Sequence, residues 1–375
     1  MSSLIARSSR KVRSAPGTGN VGTTAGPNFV GTTDNQPFEA KVNGVRALRL
    51  EPGTTANVIG GFNGNSVAAG IVGATIGGGG ASGLPNRVNA TYGAVAGGLG
   101  NSVFHNDSFI GAGIGNSISS DRAVIAGGRD NGIQTNSPNA AIGGGRNNRI
   151  DPFSDGGAIA GGQSNLVRGF NTSIGGGLNN SINGAQQSLI GGGQGNQVGG
   201  GTSGGTIAGG EGNSLIGLNS QSTIGGGGAN TIAFDVPNAT ISGGWSNLIS
   251  GESVSGAIGG GENNAVGARS QGGTVGGGLR NSAGAFSDVV TIGGGADNRT
   301  GLYCHRATIS GGGNNFINGN VVDGSANATI GGGFGNQIDI SAGARYFLSW
   351  RLSRPRFWAA ERSLMTLMAS AKRTA

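Results

Sequence analysis

Few residues in this chain are of types that do chemistry, and their spacing matters more than their number. Glycoside hydrolysis needs two carboxyl groups flanking one bond, within about 5–10 Å of each other. In a chain of stacked repeats such acids would recur at one repeat position in neighbouring copies. Glu211 and Glu262 occupy the same repeat position but lie three copies apart. Asp151 and Asp155 share one loop and form the closest local pair; they read as solvated loop residues. His105 and His305 are the only two histidines. His305 follows Cys304, the single cysteine, and no second pair at metal-ligand spacing accompanies them, so they read as a surface loop. The GGG runs lack the Gly-Lys-Ser/Thr that a phosphate-binding loop requires. Calcium-binding β-rolls place Asp in a nine-residue period, whereas here the corresponding residue is Asn in a longer one. No catalytic residue, metal site or cofactor is therefore expected, and the chain reads as a non-enzyme.

Glycine explains the recurring GGG. It supplies 84 of 375 residues, while aromatic residues are 5% and charged residues 11%. Such a chain is poor material for helices, since glycine disfavours them by about 1 kcal/mol per residue relative to alanine. Only 9 prolines and no every-third-residue glycine exclude collagen. Spaced Ile, Val and Ala with little charge argue against plain disorder. The net charge of +7 belongs to the two ends: residues 15–340 hold 13 Lys/Arg against 16 Asp/Glu. That body has no electrostatic footprint for nucleic acid. The N-terminal stretch lacks the apolar core of a secretory signal, and no run reaches the roughly 18 apolar residues of a membrane helix.

The elements that must carry these residues come from a repeat. Its unit is an apolar residue, Gly/Ala/Ser, two glycines, two variable residues, Asn, one variable residue and a second apolar residue. "TIGGGADNRT", "TISGGGNNFI" and "TISGGWSNLI" are examples. Seventeen copies align on an asparagine column that begins at Asn65, Asn86, Asn101, Asn116 and Asn131. It continues through Asn148, Asn165, Asn180, Asn196, Asn213, Asn230, Asn247, Asn264, Asn281, Asn298 and Asn315 to Asn336. The spacing is 17 residues throughout from Asn196 to Asn315, 15 to 17 before that, and 21 at either end.

Each column has a physical reading. The leading apolar position is Ile142, Ile159, Ile174, Ile190, Ile207, Ile224, Ile241, Ile258, Val275, Ile292, Ile309 and Ile330. A small residue precedes it by two, and Thr stands between them in about half the copies. That period-two alternation predicts a short strand with Ile and the small residue inside and Thr outside. Thr is read as a β-former on a solvated strand rather than as an ice-ordering array. A second short strand carries Ile or Val two after each Asn. The glycines between supply positive φ for a tight turn, and Asn ends it, placed to bond neighbouring backbone or to stack in a ladder. One unit cannot bury its own apolar face, so the units must stack. The expected fold is all-β: a parallel β-solenoid of about 17 coils of 15–17 residues. Its interior is slim, which predicts lateral association of chains.

Four segments follow. Residues 1–27 are a disordered basic segment. Residues 28–55 hold a β-hairpin, "FEAKV" and "VRALRLE" around Asn43-Gly44, that leads into or caps the first coil. Residues 56–340 are the repeat body. Residues 341–375 form a basic tail, either helical over 355–372 or foreign to the repeat; the abrupt change of composition favours the second.

The repeat resembles the head repeat of YadA-type trimeric autotransporter adhesins. In "NATIGGGFGNQI", Ile330 falls on that family's Ile, Gly331 on its Gly, Asn336 on its Ser and Ile338 on its Ala. Here the turn and the period are longer, and Asn replaces Ser. The GGGxxN form is also similar to repeats of bacterial and phage-like tail-fibre proteins. The resemblance spans about residues 28–340. It implies a left-handed β-roll, a homotrimer, display at the cell surface or outside the cell, and multivalent binding of host or matrix ligands. It carries over no ligand-binding residue. The family's C-terminal membrane anchor and self-cleaving chaperone have no counterpart here, which implies a fragment or another tether. A fibre shaft without its own ligand is the alternative function, and a solenoid polysaccharide hydrolase a more distant one.

Overall fold

A computed structural model describes residues 29–319, 327–340 and 346–351. Among them every regular element is a β-strand. The chain winds as a parallel β-solenoid. Each coil contributes one two-residue strand to a first sheet and one to a second, such as Thr240–Ile241 and Leu248–Ile249. Strands pair parallel and in register with their counterparts one coil on: Ile224 with Ile241, Ile241 with Ile258, Ile232 with Ile249. The second sheet stacks 17 strands, hence 16 full turns from Ser66–Val67 to Gln337–Ile340. At roughly 4.8 Å per strand step the stack is about 80 Å long.

The interior is what the period-two reading requires. The leading column from Ile142 to Ile330 is buried throughout, at no more than 1% exposure. The small column (Ala140, Ala239, Ala307, Ala328) and the second-strand column (Ile150, Ile232, Ile249, Ile317) are buried beside it. Alternate residues point out: Thr240 and Thr291 are exposed, Thr223 and Thr274 half-buried. Burying one such Ile contributes about 1.5–3 kcal/mol, and most coils bury two large aliphatic side chains, the second being replaced by Ala283 and Thr300 in two late coils. This core closes within a single chain.

A third rank of pairing, not anticipated from sequence, runs through the turns. From Leu99 to Phe334 one residue per coil bridges in parallel to its neighbours, as Gly228 to Trp245 and Trp245 to Glu262. The glycine immediately before each bridging residue brings adjacent backbones together. At Gly227, with φ of +80°, a Cβ would lie 2.0 Å from the carbonyl oxygen of Gly244. Glycine is needed there for close approach as well as for φ.

The entry to the stack is antiparallel. β1 (Phe38–Val42) and β2 (Val45–Glu51) form a hairpin whose turn residues Asn43 and Gly44 have φ of +49° and +76°, as a type I′ turn demands. β2 pairs antiparallel with β3 (Asn57–Gly60), which then pairs parallel with Thr75–Ile76. The hairpin thus covers the first edge of the first sheet. Arg46 reaches across and donates to the carbonyls of Asn63 and Asn65, each at 2.7 Å, covering turn oxygens that have no preceding coil. At the other end Tyr346–Arg351 pairs parallel with Asn327–Gly333, adding a strand beyond residue 340. The basic segment 1–27 and the helix considered over 355–372 lie outside the described residues.

An exposed strand edge invites pairing with another chain. Deleting residues 29–51 is therefore expected to convert dispersed rods into head-to-tail filaments, a heterologous contact that does not close. Electron microscopy of the full chain and the deletion, side by side, checks this; dispersed single rods from the deletion would show that the hairpin does not protect the edge.

Candidate functional site: buried polar ladders and an exposed loop groove

The asparagine column is buried. Asn148 through Asn315 are at most 1% exposed. Each backbone N–H donates to Oδ1 of the asparagine one coil earlier, at 2.9–3.1 Å from Asn148 to Asn315. The chain of bonds continues to Asn65 at one end and Asn336 at the other. Each Nδ2 donates to carbonyls of the turn. For Asn247 these are Gly243 and Gly261, both at 3.0 Å, with Asn230 Oδ1 also at 3.0 Å. Only an amide of this length supplies a doubly donating nitrogen and an accepting oxygen at one site. Aspartate would turn the donor into a second acceptor facing carbonyls.

A second buried ladder runs down the opposite corner, six residues after Asn in several 17-residue coils. Ser270 N–H donates to Ser253 Oγ at 3.3 Å, and Ser270 Oγ donates to the Gly284 carbonyl at 2.7 Å. Ser287 repeats the pattern, and Ser120, Ser137 and Ser154 form an earlier stretch. Cys304 occupies this column. Its N–H donates to Ser287 Oγ at 2.9 Å, and its Sγ lies 3.3 Å from the Ile317 carbonyl. Reading Cys304 and His305 together as a surface loop is thus corrected: Cys304 is fully buried, and only His305 reaches the surface. Burial pushes the thiol up to about 11. The recurrence of Ser at Asn-plus-six was legible in the sequence and is the signal that would have found this ladder.

The solvated-loop reading of Asp151 is also corrected. Its side chain is 4% exposed, clamped between Arg149 Nε on Oδ1 and Arg168 Nη2 on Oδ2, both at 2.6 Å. Two strongly donating guanidinium groups answer the desolvation of one carboxylate. Asp155 instead accepts from Asn139 Nδ2 at 3.1 Å on the exposed surface. The two acids serve separate contacts. Glu211 and Glu262 stand in the bridge rank, separated by Gly228 and Trp245. Among the described residues no group of three or more His, Cys, Asp or Glu converges as a metal site would need.

What the structure does gather is an exposed groove on the loop corner over three late coils. The residues flanking the buried Ser/Cys column, one before and one after, point outward and form two rows. The first row runs Glu252, Arg269, Phe286, Tyr303. Arg269 makes a two-point ion pair with Glu252 at 2.8 and 3.1 Å and lies 5.5 Å from the centre of the Phe286 ring. Phe286 stacks on Tyr303 with centroids 5.3 Å apart. The second row runs Gln271, Asp288, His305. Asp288 Oδ1 accepts the Gln271 N–H, and His305 Nδ1 accepts the Asp288 N–H, each at 3.2 Å. Nδ1 also lies 3.5 Å from Asp288 Oδ2. The N–H contact is the shorter and uses the Nδ1 lone pair. A depression of about 320 Å³ lies between the rows.

No family model matches this sequence, and no curated protein matches it. The stacked parallel coils define the class of protein, a parallel β-solenoid.

Replacing Asn247 by Ala is expected to destabilise the chain by on the order of 3 kcal/mol, from buried groups left without partners. Asn247→Asp should be worse despite its matched shape. Urea midpoints of the two variants check both the size and the order; Asp tolerated better than Ala would overturn the donor assignment.

Cys304 is expected to resist an aromatic disulfide reagent in the native chain at neutral pH and to react once unfolded. Its folded thiol holds the proton more tightly than the unfolded one. Its contribution to stability is therefore complete below the ordinary value of 9.0 and falls as pH climbs toward about 11. Cys304→Ser restores the column's common residue and should abolish that part of the alkaline loss while leaving neutral stability nearly unchanged.

Proposed function

We propose that this chain is a stiff structural and adhesive rod, a non-enzymatic repeat segment displayed at the cell surface or outside the cell that meets host or matrix ligands at many weak points. The observation that carries this is the unbroken stack: sixteen turns in register, with core and turn polar groups satisfied inside the chain. Such a rod holds outward side chains at fixed spacing without spending them on stability. Several weak contacts made together can exceed one contact by about 10²–10⁴ in avidity. The dispersed acids support the non-enzymatic reading, and the resemblance to YadA-type heads supports the adhesive one. Homotrimerisation belongs to this reading through the same resemblance. The exposed apolar side chains Phe109, Val124 and Ile114 of the early coils offer a place for lateral contact.

The test is retention of the purified full chain on cultured cells and on immobilised matrix proteins, with its mass measured by light scattering. Specific, saturable retention is expected, with the mass of three chains. Absence of retention on every surface would overturn adhesion and leave a shaft without its own ligand. A mass of one chain would remove the trimer while leaving the rod.

A further inference from the structure

We infer that the outward rank Glu211, Gly228, Trp245, Glu262 is a binding site for a linear polyamine, an alkyl chain with an ammonium group at each end. This goes beyond the adhesive reading and does not depend on it.

The platform is the indole of Trp245. The four residues bridge in parallel from coil to coil, so they stand in one line along the rod axis. Gly228 leaves its place in that line without a side chain, and the indole leans back into it. A Cβ on Gly228 would collide with ring atoms Cε3, Cζ3 and Cη2, and Gly228 is buried beneath them. The ring is thus backed by main chain, while Trp245 remains 52% exposed. Among the described residues no aromatic ring and no guanidinium group stacks on it. The negative face of an aromatic ring attracts cations, and that of Trp does so most strongly.

Two carboxylates close the line. Glu211 stands one coil before the gap and Glu262 one coil after Trp245, both exposed. Neither forms an ion pair with a described residue. Glu262 Oε1 accepts from Asn263 Nδ2 at 3.2 Å. Arg280 feels the Glu262 charge but is held by Asp297 in a two-point pair at 2.7 and 2.9 Å.

Geometry selects a ligand with two charged ends. Three coil steps of roughly 4.8 Å set the two glutamate positions about 14 Å apart, with the indole between them. Carboxylates so placed do not converge on one compact cation. A chain with terminal ammonium groups meets all three side chains at once, with an ion pair at each end and its positively polarised methylenes on the ring. Small residues border the line, Gly243 and Gly244 on one flank and Ala229 and Ser246 on the other, which leaves room for an extended ligand. The whole chain carries a net charge of +7, so a polycation is not drawn to it indiscriminately and capture has to be local. Exposed charges are screened over about 8 Å at physiological salt, so affinity should fall as salt rises.

The experiment is saturation-transfer NMR on the full chain with spermidine, titrated at low salt beside butylamine, which has a single ammonium group. Spermidine is expected to bind the wild type and Asp155→Asn, an exposed acid outside the rank, more tightly than butylamine does. Leu178 and Leu279 hold the same rank position in other coils, so Trp245→Leu keeps an apolar residue there and should leave the thermal midpoint unchanged. It should weaken spermidine by about threefold or more through loss of the ring face, and Trp245→Phe should recover part of that. Glu211→Gln and Glu262→Gln should each weaken it by about threefold, and the triple variant should show no transfer. No transfer from the wild type, equal affinity for butylamine, or binding that survives in the triple variant overturns the site. Binding of tetralysine without spermidine assigns the rank to a cationic polypeptide and overturns the polyamine. Spermidine binding by a chain that no cell or matrix retains would uphold this inference and sink the adhesive reading.

Discussion

A turn buried between two coils has a carbonyl group that no strand satisfies, such as that of Gly243, and the asparagine amide satisfies it. Every other feature of the solenoid is arranged around that bond. The glycine before it must lack a Cβ because the next backbone passes within 2.0 Å of where one would be. That approach shuts water out of the turn, and buried carbonyls without partners would each cost about 1–3 kcal/mol. Asn247 Nδ2 reaches the Gly243 carbonyl and shares that of Gly261 with the Trp245 N–H, and its Oδ1 takes the N–H of the next asparagine. The ladder converts a local liability into a connection running the length of the rod.

Because each coil touches mainly its neighbours, stability is close to a sum of coil and interface contributions. The inward positions are few and narrowly specified: Ile or Val, a small residue, Asn, Gly and, at the far corner, Ser. The outward positions are correspondingly released. Trp245 and Glu262 can follow Gly228 in one rank, and Arg269, Phe286 and Tyr303 can follow Glu252 in another. A binding surface on such a rod is written in the outward columns and read across coils. Motifs that are local in sequence are the wrong place to look for it.

The two ends are handled by different means. At the entry, an antiparallel hairpin occupies the first sheet's edge while the Arg46 guanidinium covers turn oxygens that would face a preceding coil. At the exit, Tyr346–Arg351 adds a parallel strand to the first sheet in a stretch whose composition no longer follows the repeat. A strand needs only backbone to join a ladder, so a sheet can outlast the side-chain pattern that built it.

By itself the sequence determined the columns. Period-two alternation separates Ile241 from Thr240, and recurrence of Asn at a nearly constant interval demands stacking, because one coil has nothing against which to bury its Ile. Asn43-Gly44 specified its own turn through two residues that tolerate positive φ. Only the tertiary structure decided what lies between coils. Burial of Asp151 depends on Arg168, seventeen residues away, arriving beside it. Cys304 is buried because it takes a place in the serine column, which its histidine neighbour does not share. The groove joins residues from three coils whose proximity follows from the fixed rise of the stack. Spacing along a chain reports which face a residue takes, whereas the partner it meets there depends on the coil above and the coil below.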